Sequence, residues 1–596
     1  MPFINLNKKI DGVGKKNSSS PERKGKGWLI RLVIIFIILF VLIYLPARSI
    51  YQSTKQVMQS SRQIILGAKQ ENLDLVRQGV VDTQKSVSSL NGALNFFFWM
   101  RALPFVGGFY SDAKHFVTAF EYELEAVKIL TDSLEPYKNE IGLTGQGTPG
   151  QDRVAQAVKI LDKTLPSLDK VEPFLKKARR EIESVDTGKY PENFGSKKLR
   201  GRIEEAKNFI VGADIAVSEN KGLIEVLPEL LGQKGAKNYL LLFQNDKELR
   251  ATGGFITAYA FFVKYLPEAD GKPRSAWSMR DSNLSPDLPT SLQQFERMYE
   301  MLGDGISFDG IFTIDTQVVE ELIAVTGPID VLGTTYSAEK DKRCNCPNVI
   351  YELEHYAEIT AKGESDRKAI LGALMQQLMA KLLTLGPDQL PTLLNTTIKL
   401  ANDKHLMAYM HNGKIQQSFS KLNWTGEIKR DPEGDYLHLN DSNFAGGKSN
   451  LYVDEKVTLE ITTTKDGSAK HKITIEYKNP QPYNTWLNGI LRDYVRIFVP
   501  KGSVLTDSKG SAEKVTTALD NDLNKIYFEA FVVVRPQNSL TLSLEYTSPV
   551  KVTEKNYPLL IQKQPGAKNH KYIVKINGNK KAEFDLTSDK QLDLTF

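Results

Sequence analysis

The segment from Asn238 to Val331 limits the possible folds more than any other. An apolar run, Tyr239 to Phe243, turns polar at Gln244-Asn245-Asp246-Lys247-Glu248-Leu249-Arg250. The pair Gly253-Gly254 opens a second apolar run, Phe255 to Val263. Ser275 to Met279 makes a third strand-like piece, ending in Arg280-Asp281-Ser282-Asn283. Helical spacing follows over Thr290–Leu302 and Gln317–Val325, on either side of a fourth strand at Gly310–Ile314. Short β-rich runs alternating with 3.6-period segments indicate an α/β layer around a largely buried sheet. Polar side chains gather just past the strand ends, at Asn245, Arg250, Arg280 and Asp281, where open α/β sheets hold ligands.

The rest of the chain divides around this layer. Residues 1–27 are rich in Lys, Gly and Ser and read as a disordered cytoplasmic tail. Residues 28–46 read as a transmembrane helix: Trp28 to Leu45 is almost unbroken hydrocarbon, and its ~27 Å helical rise matches a bilayer core. The basic flank precedes this run, so the expected topology is single-pass in the cell membrane, N-terminus cytoplasmic and the bulk extracytoplasmic. Pro46-Ala47-Arg48 is a poor cleavage site, which argues against a signal peptide.

Residues 47–232 show amphipathic helical spacing, as at Ile64-Ile65, Leu73, Val76, Val80-Val81 and Val87, and read as a helical stalk or bundle. Within it, Phe96-Phe97-Phe98-Trp99 with Leu103-Pro104-Phe105-Val106 is unusually apolar. It suits either the interior of the bundle or a contact with a membrane leaflet or partner. The α/β core spans 233–447 and contains a further long helix, Ser365–Leu385. Residues 448–596 alternate with period two, for example at Lys456–Ile461 and Leu540–Tyr546, and read as an immunoglobulin-like β-sandwich.

With 596 residues and 41% hydrophobic content, the chain holds several domains with real cores. A net charge of +6 is slight for this length and gives no reason to expect nucleic-acid binding. The two cysteines, Cys344 and Cys346, are poorly spaced to bridge each other and lack a second Cys/His pair for zinc, so a surface loop with two thiols is expected. The seven histidines are scattered, and His405 and His411 read as surface or packing residues on one helix or its end.

Several motifs resemble a bacterial family known only as domain of unknown function 4012. They are Asn238–Asn245, Glu248–Gly254, Arg280–Asn283 with Pro286-Asp287, Phe308–Gly310, Gly327-Pro328 and Asn443–Lys448, and the resemblance covers roughly Gly235 to Asn450. More distantly, the order of elements resembles the LytR-CpsA-Psr family. Arg250, Met279-Arg280-Asp281, Phe308–Val331 and Asp366-Arg367 stand where that family carries its motifs. This second resemblance implies an α/β/α-layered transferase that moves glycopolymers from a polyprenyl-pyrophosphate carrier onto peptidoglycan of the cell wall.

On that implication Arg250, Arg280 and Arg367 would clamp a pyrophosphate by bidentate, charge-assisted bonds. Asp281 would hold Mg²⁺ or position an arginine. Gly253-Gly254 would let backbone amides approach the phosphate, with Asn245, Asn283 and Asp287 completing the ligand site. Arg250, Arg280 and Asp281 would then be the catalytic set. The family's aspartate two residues after the first arginine is missing, because Thr252 occupies that position. This leaves two expectations: a membrane-anchored cell-envelope protein that binds or transfers a lipid-linked glycopolymer, or a non-enzymatic envelope scaffold or adhesion module.

Overall fold

The computed structural model describes residues 40–104, 106–145, 150–194, 197–233, 235–259, 279–301, 303, 306–360, 369–386, 389–463, 467–484, 486–551 and 556–595. The chain separates into two compact units. One comprises residues up to Pro136 together with Asp169–Asp214; the other comprises Tyr137–Leu168 and Ile215–Phe596.

The first unit is helical. Helices α1 (Leu45–Lys69), α2 (Leu73–Asn95) and α3 (Gly107–Leu134) follow one another, joined later by the end of α4 (Gly150–Glu183) and by α5 (Leu199–Asp214). Asn72 caps α2 by accepting from the Leu75 amide. Val87, Leu94, Val117 and Leu124 form one core with Ile50, Val57 and Ile64. Ala119, Ala178, Ile182 and Ile210 form another.

The expected membrane span is corrected here. Among the described residues no helix is long and apolar enough to cross a membrane. Residues 28–39 of that span lie outside the described residues. Its remainder, Phe40–Tyr44, is a π-helical turn that runs into α1, which carries Arg48, Lys55, Arg62 and Lys69 and is too polar to lie in hydrocarbon. The single-pass topology and the compartment inferred from it fall with the span.

The second unit holds a three-layered α/β part and a large β-sandwich. The α/β sheet has the order β4–β3–β1–β2, where β1 is Tyr239–Asn245, β2 Phe255–Tyr259, β3 Gly310–Asp315 and β4 Leu406–Met410. β1 and β3 are parallel, and β2 and β4 run antiparallel to their neighbours. Helices cover both faces, which is why β1 is apolar from Tyr239 to Phe243 instead of alternating. Leu240, Leu242 and Ile311 meet Leu292 and Phe295 of α7 (Leu288–Glu300), after α6 (Lys221–Leu230). On the other face Phe243 and Ile314 meet Val318 of α8 (Thr316–Thr326) and Leu400. The long helix expected from Ser365 is observed as Ala369–Leu383. Arg367 lies outside the described residues, as does most of the strand expected at Ser275–Met279.

The sandwich begins at Asp435, ahead of the expected Lys448. Its first sheet includes β5 (Asp435–Gly447), β8 (Asn488–Pro500) and β13 (Tyr557–Gln562); its second includes β6 (Asp454–Thr463), β7 (Ser468–Asn479) and β14 (Lys571–Ile576). The expected immunoglobulin-like arrangement is replaced by two six-stranded sheets, each with one parallel pair, β5/β13 and β6/β14. Val457, Leu459, Ile473, Val495, Ile497 and Phe528 are among the residues that fill the space between the sheets.

The cysteine pair also departs from expectation. Cys344 and Cys346 form a disulfide with Cα atoms 5.1 Å apart, and both are buried. The intervening Asn345 adopts φ 58°, a left-handed turn that Asn tolerates and that folds the two flanking residues together. Both belong to one buried cluster with Val349, Ile350 and Leu374.

Candidate functional site

β1 and β3 end side by side, and a buried set of charges collects there. Asp246 follows β1. It accepts from the Thr316 amide at 3.3 Å and from the Thr316 hydroxyl, and it pairs with Lys247 Nζ at 2.6 Å. Asp315, the last residue of β3, caps α8 by accepting from the Gln317 and Val318 amides, and its other oxygen meets His405 Nδ1 at 2.6 Å. Burial opposes ionisation of Asp246, yet the Lys247 charge and the two donors outweigh it and hold the carboxyl below its usual range. Asp315 goes the other way: burial raises it, and His405 only partly compensates.

Beside this cluster runs a chain of alternating charges. Arg250 pairs with Glu248 at 3.1 Å, Glu248 with Lys448 at 2.7 Å, and Lys448 with Glu354 at 3.9 Å. Glu354 in turn accepts from Asn245 Nδ2 at 2.6 Å. Arg250 is 7% exposed. Its guanidinium donates to the Asn443 and Leu249 carbonyls and lies 5.3 Å from the Phe255 ring and 5.5 Å from the Phe444 ring. Arg280, in a 3₁₀ turn with Asp281, lies 6.0 Å from the same Phe255 ring. The structure thus brings Asn245, Arg250 and Arg280 into one neighbourhood and gives Arg250 internal partners.

The same loop is joined to the sandwich through its backbone. The Leu249 amide donates to Asn450 Oδ1 at 3.2 Å, and the Leu249 carbonyl accepts from the Asn443 amide at 3.0 Å. Gln564 Nε2 donates to the Arg250 carbonyl at 3.1 Å and Asn440 Nδ2 to the Ala251 carbonyl at 3.0 Å. Asn283 Nδ2 donates to the Gly254 carbonyl at 2.8 Å. Asp287 caps α7 through the Thr290 amide at 3.2 Å and accepts from the Ile428 amide at 2.9 Å. The glycine pair serves close packing: a Cβ on Gly254 would stand 2.3 Å from the Asn245 backbone, and one on Gly566 would stand 2.0 Å from the Gly253 carbonyl oxygen.

A cavity of about 20 Å³ lies at this join, lined by Asp246, Lys247, Glu455, Gly566, Lys568 and His570 among others. That is room for about one water. Glu455 Oε2 and His570 Nε2 face each other at 3.5 Å, and neither atom has a hydrogen bond among the described residues. Among the described residues, no group of three or more His, Cys, Asp or Glu side chains could hold a metal ion.

Sequence reasoning missed Asp315, His405, Glu354 and Gln564. His405 and His411 do not share a helix; they flank β4, and His411 meets Glu296 at 2.5 Å. The usable signal was an acidic residue closing each parallel strand, Asp246 after β1 and Asp315 at the end of β3.

No curated protein matches the chain. Solved structures of an M1 zinc metallopeptidase from Deinococcus radiodurans align with 25% of this chain. The substrate-bound mutant is 12% identical and the parent enzyme 10%, both with a TM-score of 0.14. The chain spans about 40% of the length of those metallopeptidases, and a likeness this slight carries no argument. The likeness to the LytR-CpsA-Psr transferases rests on sequence motifs alone. The family described as Protein of unknown function (DUF4012) matches residues 266–343, and over that segment the chain is similar to it.

Proposed function

We propose that the second unit is a non-enzymatic scaffold or interaction module in which Glu248–Gly254 is a structural seam. One observation carries this reading: the donors of Arg250 that would clamp a pyrophosphate already meet Glu248 and the Asn443 and Leu249 carbonyls. Turning that guanidinium to a ligand would strip a buried charge of its partners, which costs several kcal/mol before any binding is gained. The neighbouring cavity of about 20 Å³ is also far smaller than a ligand pocket of several hundred Å³.

The test is a titration of the full chain with a short-chain polyprenyl pyrophosphate and Mg²⁺, comparing wild type with Arg280→Ala. The scaffold reading expects no saturable binding by either protein. Saturable binding by wild type that weakens about tenfold or more in the variant would overturn it in favour of a lipid-pyrophosphate site.

A further inference from the structure

The aromatic cluster that the sequence singles out sits at one end of the helical unit. Helices α1 and α2 run antiparallel: Gly67 lies against Val76 and Gly79 against Ile64. Counting back from those contacts sets the first residues of α1 beside the end of α2, and Ile50, Leu90 and Leu94 share one core. The turn that follows α2 therefore lies beside the start of α1.

That turn is largely unburied. Phe97 anchors it in the interior, while Phe96, Phe98 and Trp99 are 46%, 72% and 42% exposed, and Leu103 and Phe109 are exposed as well. Phe40, Val41, Ile43 and Tyr44, in the turn that leads into α1, and Leu45 at its start are also exposed. One end of the α1/α2 pair thus gathers exposed apolar side chains from two segments, of the kind that soluble surfaces rarely leave open.

Its charge is one-sided. The segments at this end, residues 40–58 and 86–111, contain Arg48, Lys55 and Arg101 and no Asp or Glu. The next acid, Asp112, is buried and pairs with Lys189 at 3.6 Å. Exposed Trp and Phe with neighbouring Arg and no carboxylate are the composition that settles at the headgroup boundary of an anionic bilayer. There the rings leave water and the cations meet lipid phosphates.

We propose that this end of the helical unit, through Phe96, Phe98, Trp99 and Arg101, seats in the surface of an anionic lipid bilayer. The contact is with the interface and does not require a crossing.

The experiment uses the full chain and vesicles of phosphatidylglycerol and phosphatidylcholine with brominated acyl chains. The wild-type emission spectrum minus that of Trp99→Phe isolates residue 99 from the other tryptophans, so association through any other segment does not register. The residue-99 signal is expected to be open to an aqueous quencher in free protein, and to shift blue and be quenched by bromine on vesicles. Phe98→Asp, at a site exposed enough to leave the fold intact, should weaken that partitioning about tenfold. Arg101→Glu should weaken it about fivefold or more.

The proposal is overturned if vesicles leave the residue-99 signal unchanged. It is overturned too if the signal is already shielded in their absence, which would mean that another segment of this chain or a second copy covers the patch. Equal partitioning onto vesicles of phosphatidylcholine alone would overturn its anionic part.

Discussion

Gly566 and Gly253 meet backbone to backbone across the join between the sandwich and the α/β layer. A Cβ on Gly566 would stand 2.0 Å from the Gly253 carbonyl oxygen, and Gly566 itself has φ 68°. Gly566→Ala therefore combines a left-handed backbone penalty with a clash against backbone, which has no rotamer by which to move away. The expected loss is about 2–4 kcal/mol in chemical denaturation. Gly578→Ala is the control: its φ of 81° is similar, but nothing lies within 4 Å of the new Cβ. That variant should lose only about 1 kcal/mol.

Arg250 is the next test. Arg250→Ala leaves the Glu248 carboxylate with Lys448 alone among the described residues and removes the donor to the Asn443 carbonyl, so a loss of about 3 kcal/mol is expected. Arg250→Lys should recover little of it, because an ammonium cannot reach two carbonyls and a carboxylate from one planar fork. Full recovery by Lys would show that charge alone is what the site needs.

The pH dependence separates two kinds of buried carboxyl. Burial pushes Asp441 up to about 7, against a hydrogen bond from Tyr477. Its folded value exceeds its unfolded one, so its contribution is present below the unfolded value near 4 and is lost as pH rises towards 7. Asp441→Asn should remove a downward slope of up to about 1.4 kcal/mol per pH unit in that window, measured as the difference between the two stability curves. Asp246 has the opposite sign: its folded value is depressed, so its contribution is present above the unfolded range and is lost as pH falls. The penalty of Asp246→Asn should accordingly shrink in acid.

What the sequence made legible follows from the range of each interaction. β1 and α8 were readable because apolar runs and helical spacing are local, and the residues just past the strand ends were readable as a cluster. The partners were not. His405 reaches Asp315 across ninety positions and Gln564 reaches the Arg250 carbonyl across more than three hundred, and no local pattern encodes such pairings. The glycine-rich Asn443–Gly447 finishes β5, since β8 supplies a partner along most of that strand's length. The cysteine pair was misjudged for the same reason. Spacing alone argues against a bridge, and only the left-handed Asn345 turn makes one reachable.

Amide hydrogen exchange across residues 248–255 tests the seam most directly. The Glu248, Leu249, Gly253 and Phe255 amides donate to Asn245, Asn450, Arg250 and Glu248 respectively. If this stretch is a seam, those amides exchange with the same opening free energy as β5, and Gly566→Ala lowers both together. Exchange at the rate of a free loop in wild type, slowed only when a polyprenyl pyrophosphate is added, would contradict the account and return the stretch to a ligand site.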